Sequence, residues 1–431
     1  MADLRCGFAA QTIPVPLFLE LYGYGPFLGR RNRGVRDPIY CRVASFSDGR
    51  TRVIAVISDV VTMDPSAARR IRAEVSARAH AAPENILVAG THTHSAPTIS
   101  PGIGWGEFNP DFQAAWIDIA IRTAVAAAAD ESPVSVTAGR APLSQPLGVN
   151  RVVAGGPTDP DIRWVRFASP DGSAKLLIHN HGMHAVVFGP KMLRVSADWP
   201  GEAARLVLER KLARNVLFLQ GACGNINTSP VALDETAGDV ELRRIGKSYV
   251  DDLERGLGGG EPLAGLPLKG ILRATELPTE PVTPAFLRDA AARMRAIQGR
   301  PYVIDRLEEM AIYMDNGGSV SISADLQVLR LGDIYLYAFP GEPFVELGRA
   351  VAERGPGRFT LVSEVANDNG RYIPTPETFA ANPELVTANP GRGYYETQFA
   401  GFGRFRARYK PEVGPFVVER LLAAAREMEG R

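Results

Sequence analysis

His92 and His94 flank Thr93 just after an apolar run, Ile86 to Ala89, which is too short for a helix and suits a buried strand. If the chain stays extended there, side chains alternate and both imidazoles point to one side. Two neutral imidazoles at a strand end suit a divalent metal such as zinc. Two hydrogen-bonded surface histidines have the same spacing, so the pair alone leaves both readings open. Three of the six histidines lie together further on, in His179-Asn180-His181-Gly182-Met183-His184. His179 and His181 also read as packed, hydrogen-bonded histidines.

Other polar residues follow strand-like runs. Asp59 ends the run 52–58 and either faces a site or caps the helix that begins near Pro65. Gln220-Gly221-Ala222-Cys223-Gly224-Asn225-Ile226-Asn227 follows the strand 216–219, and its glycines allow close backbone approach to a ligand. No Lys-Ser/Thr follows, which discounts a phosphate-binding loop. Glu342, in Pro340-Gly341-Glu342-Pro343, stands between a strand and a helix, where the dipole would also stabilise it. Tyr372 closes the polar stretch that starts at Asn367. Donors gathered from separate strand ends suit an open α/β fold and a metal site.

The elements that must position these residues alternate between strand and helix. Strands are expected at 41–46, 52–58 and 86–89, with a helix at 65–80 between the last two. An alanine-rich helix at 111–130 precedes strands at 134–140, 161–167 and 174–179, a helix at 202–213 and the strand 216–219. After a helix at 234–255, the stretch 256–267 is the best linker candidate. Beyond it come a strand at 269–277, strands at 320–331 and 334–339, a helix from 343, a strand at 360–365 and a closing helix at 415–429. Residues 1–40 are rich in Gly, Pro and Arg, with a loop at 21–26, and Arg30, Arg31, Arg33 and Arg36 form either a solvated cluster or an anion-binding lip. The fold class is α/β, with mixed β-sheets flanked by helices. One large domain over 1–431 is expected, with a charged helical insert at about 284–315 that is a plain solvated pair or a cover on the site. No internal repeat is visible.

Composition excludes several function classes. Lys+Arg and Asp+Glu both number 48, so there is no basic footprint for nucleic acid and no polybasic membrane patch. The start carries no basic segment followed by a clean apolar run, so neither a signal peptide nor membrane insertion is expected. The three cysteines, Cys6, Cys41 and Cys223, are odd in number and widely spaced, which fits a reducing cytoplasm.

Six short motifs, in order, resemble those of the neutral (non-lysosomal) ceramidase family. Thr91-His92-Thr93-His94-Ser95-Ala96-Pro97 is similar to T-H-T-H-S-G-P. Asn150-Arg151, His184 with Asp198 and Gly201, Phe339-Pro340-Gly341-Glu342, Asn367 with Tyr372, Ile373 and Thr375, and Tyr395-Glu396 resemble the others. The resemblance spans about residues 8–405. It implies a zinc ion held by His92, His184, Glu342 and Tyr372. It also implies that His94, Arg151 and Tyr395 meet the substrate carbonyl oxygen, with Glu342 accepting the proton of the attacking water. Zinc lowers the pKa of bound water to about 7, which agrees with that chemistry.

The departures are informative. Gly224-Asn225-Ile226-Asn227 stands where the family has G-D-V-S, so the family's serine is Asn227 here. A serine nucleophile is thereby in doubt, while attack by activated water survives. Gly224, Asn227 and Asp59 are expected around the substrate. The chain also ends without the Ig-like domain of secreted ceramidases, so a small soluble acyl-amide substrate is expected rather than membrane ceramide. The alternatives are an ester or lactone hydrolase on the same zinc, or a metal-containing relative that binds a ligand without turnover. Oligomeric state is not legible.

Overall fold

The computed structural model describes residues 3–24, 29–101, 106–296, 301–368, 370–381, 395–398, 400–401 and 405–430. The sequence makes pocket shape depend on loops 22–36, 98–109 and 376–394, of which 25–28, 102–105 and 382–394 lie outside the described residues.

One order of elements recurs three times among the described residues. Each unit has a strand, a long connection, a two-stranded hairpin, a helix, a strand parallel to the second hairpin strand, and a further helix. The first unit comprises β1 (Arg5–Thr12), β2 (Tyr40–Ser47), β3 (Arg52–Ser58), α1 (Pro65–Ala79), β4 (Ile86–Gly90) and α2 (Pro110–Ala129). A short β5 (Ser132–Pro133) extends its sheet, ordered β4-β3-β2-β1-β5.

In the second unit, β6 (Ser135–Pro142) is followed by a connection carrying β7 (Gly148–Asn150), then β8 (Asp161–Ala168), β9 (Ala174–His181), α3 (Asp198–Glu209) and β10 (Val216–Gln220). A short β11 (Ile226–Thr228) pairs with β7, and α4 (Glu235–Gly256) closes the unit. Its sheet runs β10-β9-β8-β6-β12, where β12 is Glu261–Pro262.

The third unit starts with β13 (Leu268–Leu277). Its connection holds the helical pair α5 (Pro284–Ala296) and α6 (Pro301–Asp315). The hairpin β14 (Ile322–Leu331) and β15 (Ile334–Ala338) leads through the short β16 (Glu342–Pro343) to α7 (Val345–Arg354) and β17 (Phe359–Ser363). The short β18 (Tyr372–Ile373), α8 (Pro376–Ala380) and α9 (Tyr395–Gln398) precede α10 (Val413–Met428). Its sheet is ordered β13-β14-β15-β17.

Local chemistry explains the repetition. Each hairpin turns on a glycine with left-handed φ, Gly49 at +85°, Gly172 at +81° and Gly332 at +59°. Asp48 and Asp171 brace the first two turns by accepting backbone N–H bonds from Arg50 and Ser173. Each sheet is apolar on both faces. The inner faces meet in one core, to which Phe46 and Val53, Val165 and Phe167, and Leu329 and Leu336 contribute. The outer face of each sheet carries its own two helices: α1 and α2, α3 and α4, α7 and α10. By length and composition α2 could cross a membrane. Here Phe112, Trp116 and Ala120 pack it against the first sheet.

Four sequence expectations change. Arg5–Thr12, to which the sequence assigned no element, is a strand paired with β2 along its whole length. The stretch 256–267 is no linker, because Glu261 and Pro262 add an edge strand to the second sheet and Leu263 and Leu266 pack on the common core. Helix α3 begins at Asp198, four residues before its expected start. The repeat is architectural: the polar connections between the repeated elements differ in length and content, which hides it in the sequence.

Buried amides tie the units together. Asn180 on β9 donates to Leu219 O and Val362 O, and its own oxygen accepts from Val362 N. Asn367 accepts from Arg72 Nη2 at 2.8 Å and donates to Gln327 Oε1 at 2.9 Å, with a left-handed φ of 62°. Asn tolerates that backbone better than most residues. Replacing Asn367 by Ala leaves the Arg72 and Gln327 partners unsatisfied in the interior. Urea unfolding of Asn367→Ala is expected to show a loss of about 3 kcal/mol. A change below about 0.5 kcal/mol would show that this tie contributes nothing.

Candidate metal centre

In each sheet the second hairpin strand and the crossover strand run parallel, so their carboxyl ends share one edge. Ligands in α/β folds bind outside such edges. His92 and His94 follow β4, His184 follows β9, Gly224 and Asn227 follow β10, Glu342 follows β15, and Tyr372 follows β17. The structure brings these residues together from all three units.

The donors are buried and close. His92 Nε2 lies 3.5 Å and His184 Nε2 lies 3.4 Å from Glu342 Oε2. His94 Nε2 is 3.3 Å from His92 Nε2, and the two rings meet edge-on at 4.8 Å. The chain is not extended at His92, whose φ is +65°. The expected alternation therefore fails locally, and backbone bonds hold the turn: His92 N donates to Val60 O and Thr91 N to Ser58 O. Tyr372 is placed by backbone register, since β16 and β18 pair in parallel with Glu342 opposite Tyr372. Its ring packs edge-on to Tyr395 at 5.7 Å, and both tyrosines belong to the apolar cluster of α5 and α6.

At His92 and His184 the Nε2 atom is aimed by the hydrogen bond of the opposite nitrogen. His92 Nδ1 bonds Val61 O. His184 Nδ1 bonds Cys223 O at 2.7 Å and Ile226 O at 3.0 Å. A carbonyl can only accept, so Nδ1 carries the proton and Nε2 keeps its lone pair. His184 Nε2 and Glu342 Oε2 are buried with no hydrogen-bond partner among the described residues. The His184 segment is held from behind. Trp199 Nε1 donates to His184 O at 3.0 Å, and the Asp198 carboxylate accepts from Val187 N, Phe188 N and Trp199 N.

Electrostatics favour neutral imidazoles at His184 and His94 beside an ionised Glu342, while His92 is drawn the other way by the carboxylate. Burial pushes His184 down to about 4. Burial and then the two neighbouring imidazoles hold His94 well below its usual range. At His92 burial opposes the proton, but Glu342 outweighs it and the direction is upward. Burial likewise opposes ionisation of Glu342, yet His92 and His184 hold it well below the usual carboxylate range. For Tyr372, burial and the nearby Glu342 push the phenol upward.

Arg151 borders the donors, with its guanidinium 5.3 Å from the Tyr372 ring centroid. Its Nη2 donates to Gly224 O at 2.9 Å, its Nη1 to Asn227 Oδ1 at 3.2 Å, and its Nε lies 2.8 Å from Glu396 Oε1. Gly224 has to be glycine, because a Cβ there would lie 2.4 Å from Glu342 O.

Asp59 does not join this group. Its carboxylate accepts from Tyr40 N, Arg42 Nη1 and Thr91 Oγ1, and it is 1% exposed. Both of its oxygens are engaged by the strand framework, which makes it a brace rather than a free substrate contact. It does not cap α1 either; Asp64 does, accepting from Ala67 N. Arg30 is neither solvated nor a lip: buried, it donates to the carbonyls of Tyr22, His94 and Pro190. His179 and His181 are core residues, bonded to the Tyr249 hydroxyl and Asp161 O.

Sequence reasoning missed the residues behind the donors. Cys223 Sγ lies 3.1 Å from His184 Nδ1 and donates to Glu364 Oε1 at 2.9 Å. His92, His184 and Cys223 bring donor atoms within 4.8 Å of one another, which by itself allows a His/His/Cys site. The thiol, however, faces the protonated Nδ1 side of His184. Glu342 faces Nε2, so the carboxylate and not the sulfur stands at the free lone pair. Burial pushes the Cys223 thiol well up and Glu364 up to about 8. Tyr24 was also missed; its ring meets His94 edge-on at 5.1 Å. Its neighbour Gly23 was the available signal, since a Cβ there would lie 2.5 Å from the imidazole.

Burial also sets a pH dependence outside the donor cluster. His179 is pushed from 6.5 down to about 3, chiefly by desolvation. Its neutral form stabilises the fold fully above the unfolded value of about 6.5, and that contribution is lost as pH falls toward the folded value. Between about pH 6.5 and 5 the loss is roughly 2 kcal/mol. Urea titrations at pH 7 and pH 5 are expected to show this loss in the wild type, and about 2 kcal/mol less of it in His179→Phe. Equal losses in the two proteins would remove His179 as the cause.

No family model matches the chain. No curated protein matches it significantly. Solved structures do. Neutral ceramidase from Pseudomonas aeruginosa aligns with a TM-score of 0.79 at 19% identity, over 100% of this chain and 75% of that one. A ceramidase complexed with C2 aligns at 0.77 and 18% identity, over 100% of this chain and 76% of that one. The chain has the fold of neutral ceramidase.

Proposed function

We propose that this protein is a zinc-dependent hydrolase that cleaves a linear amide bond in a small acyl substrate. The observation that carries the reading is the pair of buried atoms without a hydrogen bond among the described residues, His184 Nε2 and Glu342 Oε2, 3.4 Å apart with His92 Nε2 3.5 Å from the same oxygen. A dry interior leaves such atoms unpaired only at a cost, which a cation between them would remove. Two neutral imidazoles and a carboxylate are a common zinc donor set. His92, His184 and Glu342 fit the ion, and Tyr372, brought alongside by the β16–β18 pairing, would be its fourth donor. When bound, zinc would polarise a carbonyl and make water available as a nucleophile near neutral pH.

The chain's own residues supply the rest. Arg151 stays charged throughout the accessible pH range, and Tyr395 carries a hydroxyl donor; both are suited to an oxyanion developing on the scissile carbonyl. His94, beside His92, is kept neutral and can donate or accept a proton as the tetrahedral centre forms and collapses. Glu342 is kept ionised and can take the proton that water releases. Asn227 offers no hydroxyl, so hydrolysis by direct attack of water is favoured over an acyl-enzyme at that position. The amide preference rests on the shared ceramidase fold.

Metal analysis of the purified protein is expected to give about one zinc per chain, lost in His184→Ala. Matched short N-acyl amides and esters, with lactones and ceramide in detergent as further arms, then fix the bond. Amide cleavage is expected to dominate. Arg151→Ala should lower kcat by about 100-fold to 1000-fold while retaining the metal. A folded wild type that takes up no zinc would sink the reading. Metal without turnover on any of these substrates would instead support a ligand-binding protein.

A further inference from the structure

We infer that Glu364 is a positioning residue for His184, acting through Cys223. The inference rests on the zinc reading above and extends it to residues that no motif points to.

Both carboxyl oxygens of Glu364 are spent on one residue. Oε2 accepts from Cys223 N at 2.8 Å, and Oε1 accepts from the Cys223 thiol at 2.9 Å. The carbonyl of that same Cys223 receives His184 Nδ1 at 2.7 Å. Gripping the N–H and the side chain fixes the orientation of the residue, and with it the carbonyl that aims the imidazole. Glu364 is itself anchored at the end of β17, where its N–H donates to Gln220 O at 3.0 Å. It is 0% exposed and forms no ion pair with a lysine or arginine among the described residues. A carboxyl group buried without a cation is costly, and neither the strand framework nor the proposed reaction uses it. Outer partners that orient ligating histidines typically govern metal affinity, by about 10-fold to 100-fold. Glu364 and Gln220 belong to different units, so the grip also transmits the packing of the second and third sheets to the His184 ring.

The thiol admits a competing role as a zinc ligand, and the test separates the two. Zinc affinity is measured by competition with a chromophoric chelator on the full chain, and apo melting temperatures are recorded in parallel. Glu364→Ala is expected to weaken zinc about 10-fold to 100-fold. Glu364→Gln keeps an oxygen for Cys223 N but loses the thiol acceptor, so it is expected between the alanine variant and the wild type. Asp59→Asn, a framework variant, is expected to lower the melting temperature with zinc affinity unchanged; this distinguishes aiming from general loosening. In the cobalt(II) protein, the wild type and Cys223→Ala are expected to give the same spectrum, without a thiolate charge-transfer band. Wild-type affinity in Glu364→Ala would overturn the inference. Should that variant fail to fold, wild-type affinity in Glu364→Gln would overturn it equally. A thiolate band lost in Cys223→Ala would overturn it by making sulfur a ligand. A wild type that binds no zinc is a failure of the hydrolase reading, visible before any variant is compared.

Discussion

A ring nitrogen buried in a dry interior can keep a free lone pair only if the opposite nitrogen has an acceptor for its proton. Val61 O and Cys223 O are those acceptors for His92 and His184. Neither is a side chain, so neither can be read from residue type. Both are placed by where a strand stops: Val61 three residues past β3, Cys223 three residues past β10. The rest of the arrangement protects these two carbonyls. Asp198 and Trp199 hold the His184 segment from behind. Asn225 Oδ1 accepts from Val345 N and its amide donates to Glu346 Oε2, locking the loop after β10 to the start of α7.

The three-unit architecture explains why the donors are so dispersed in sequence. Each unit buries two helices on its outer face and shares a common core on its inner face. The strand ends of all three units thus converge at one edge of the shared core. The second hairpin strand leads to Asp59 in the first unit, to His184 in the second and to Glu342 in the third. The first unit uses that position as a structural brace and supplies its imidazoles after the crossover strand instead. A donor site assembled this way exists only when all three units are packed. Ties such as Asn180 and Asn367 therefore hold the convergence of the strand ends as well as the core.

How much of this was legible follows from what leaves a local signal. His92, His94, His184, Glu342 and Tyr372 each stand after an apolar run with a glycine or proline beside the turn, and the resemblance to the ceramidase motifs joined them. The helices α1, α2, α4 and α10 declared themselves by length and apolar periodicity. Strand β1 did not, because six of its eight residues are exposed or half-buried and proline follows shortly after. The edge strand β12 is only two residues long and sits among glycines that ordinarily mark loops. Asp59 was misplaced because a carboxylate at a strand end looks alike whether a ligand or an arginine satisfies it; only the position of Arg42, on the neighbouring strand, decides. Cys223 and Glu364 are 141 residues apart and carry no shared motif, so their contact could not be read from sequence.

The replacement at Asn227 has a consequence that the geometry makes definite. Its oxygen accepts from Arg151 Nη1, which fixes which way the amide is turned. A serine at this point could present its oxygen to a carbonyl carbon. An asparagine oxygen committed to a guanidinium cannot, and an amide is not a nucleophile at neutral pH. Thr228 does not take over, being fully buried with its Oγ1 unpartnered among the described residues. What the substitution gains is a rigid Arg151, held at once by Asn227, the Gly224 carbonyl and the Glu396 carboxylate. Less of the arginine's rotamer freedom would then remain to be lost if it met an oxyanion, as the proposed function has it. On the proposed reading, an arginine held in this way would suit displacement by water better than an acyl-enzyme at Asn227.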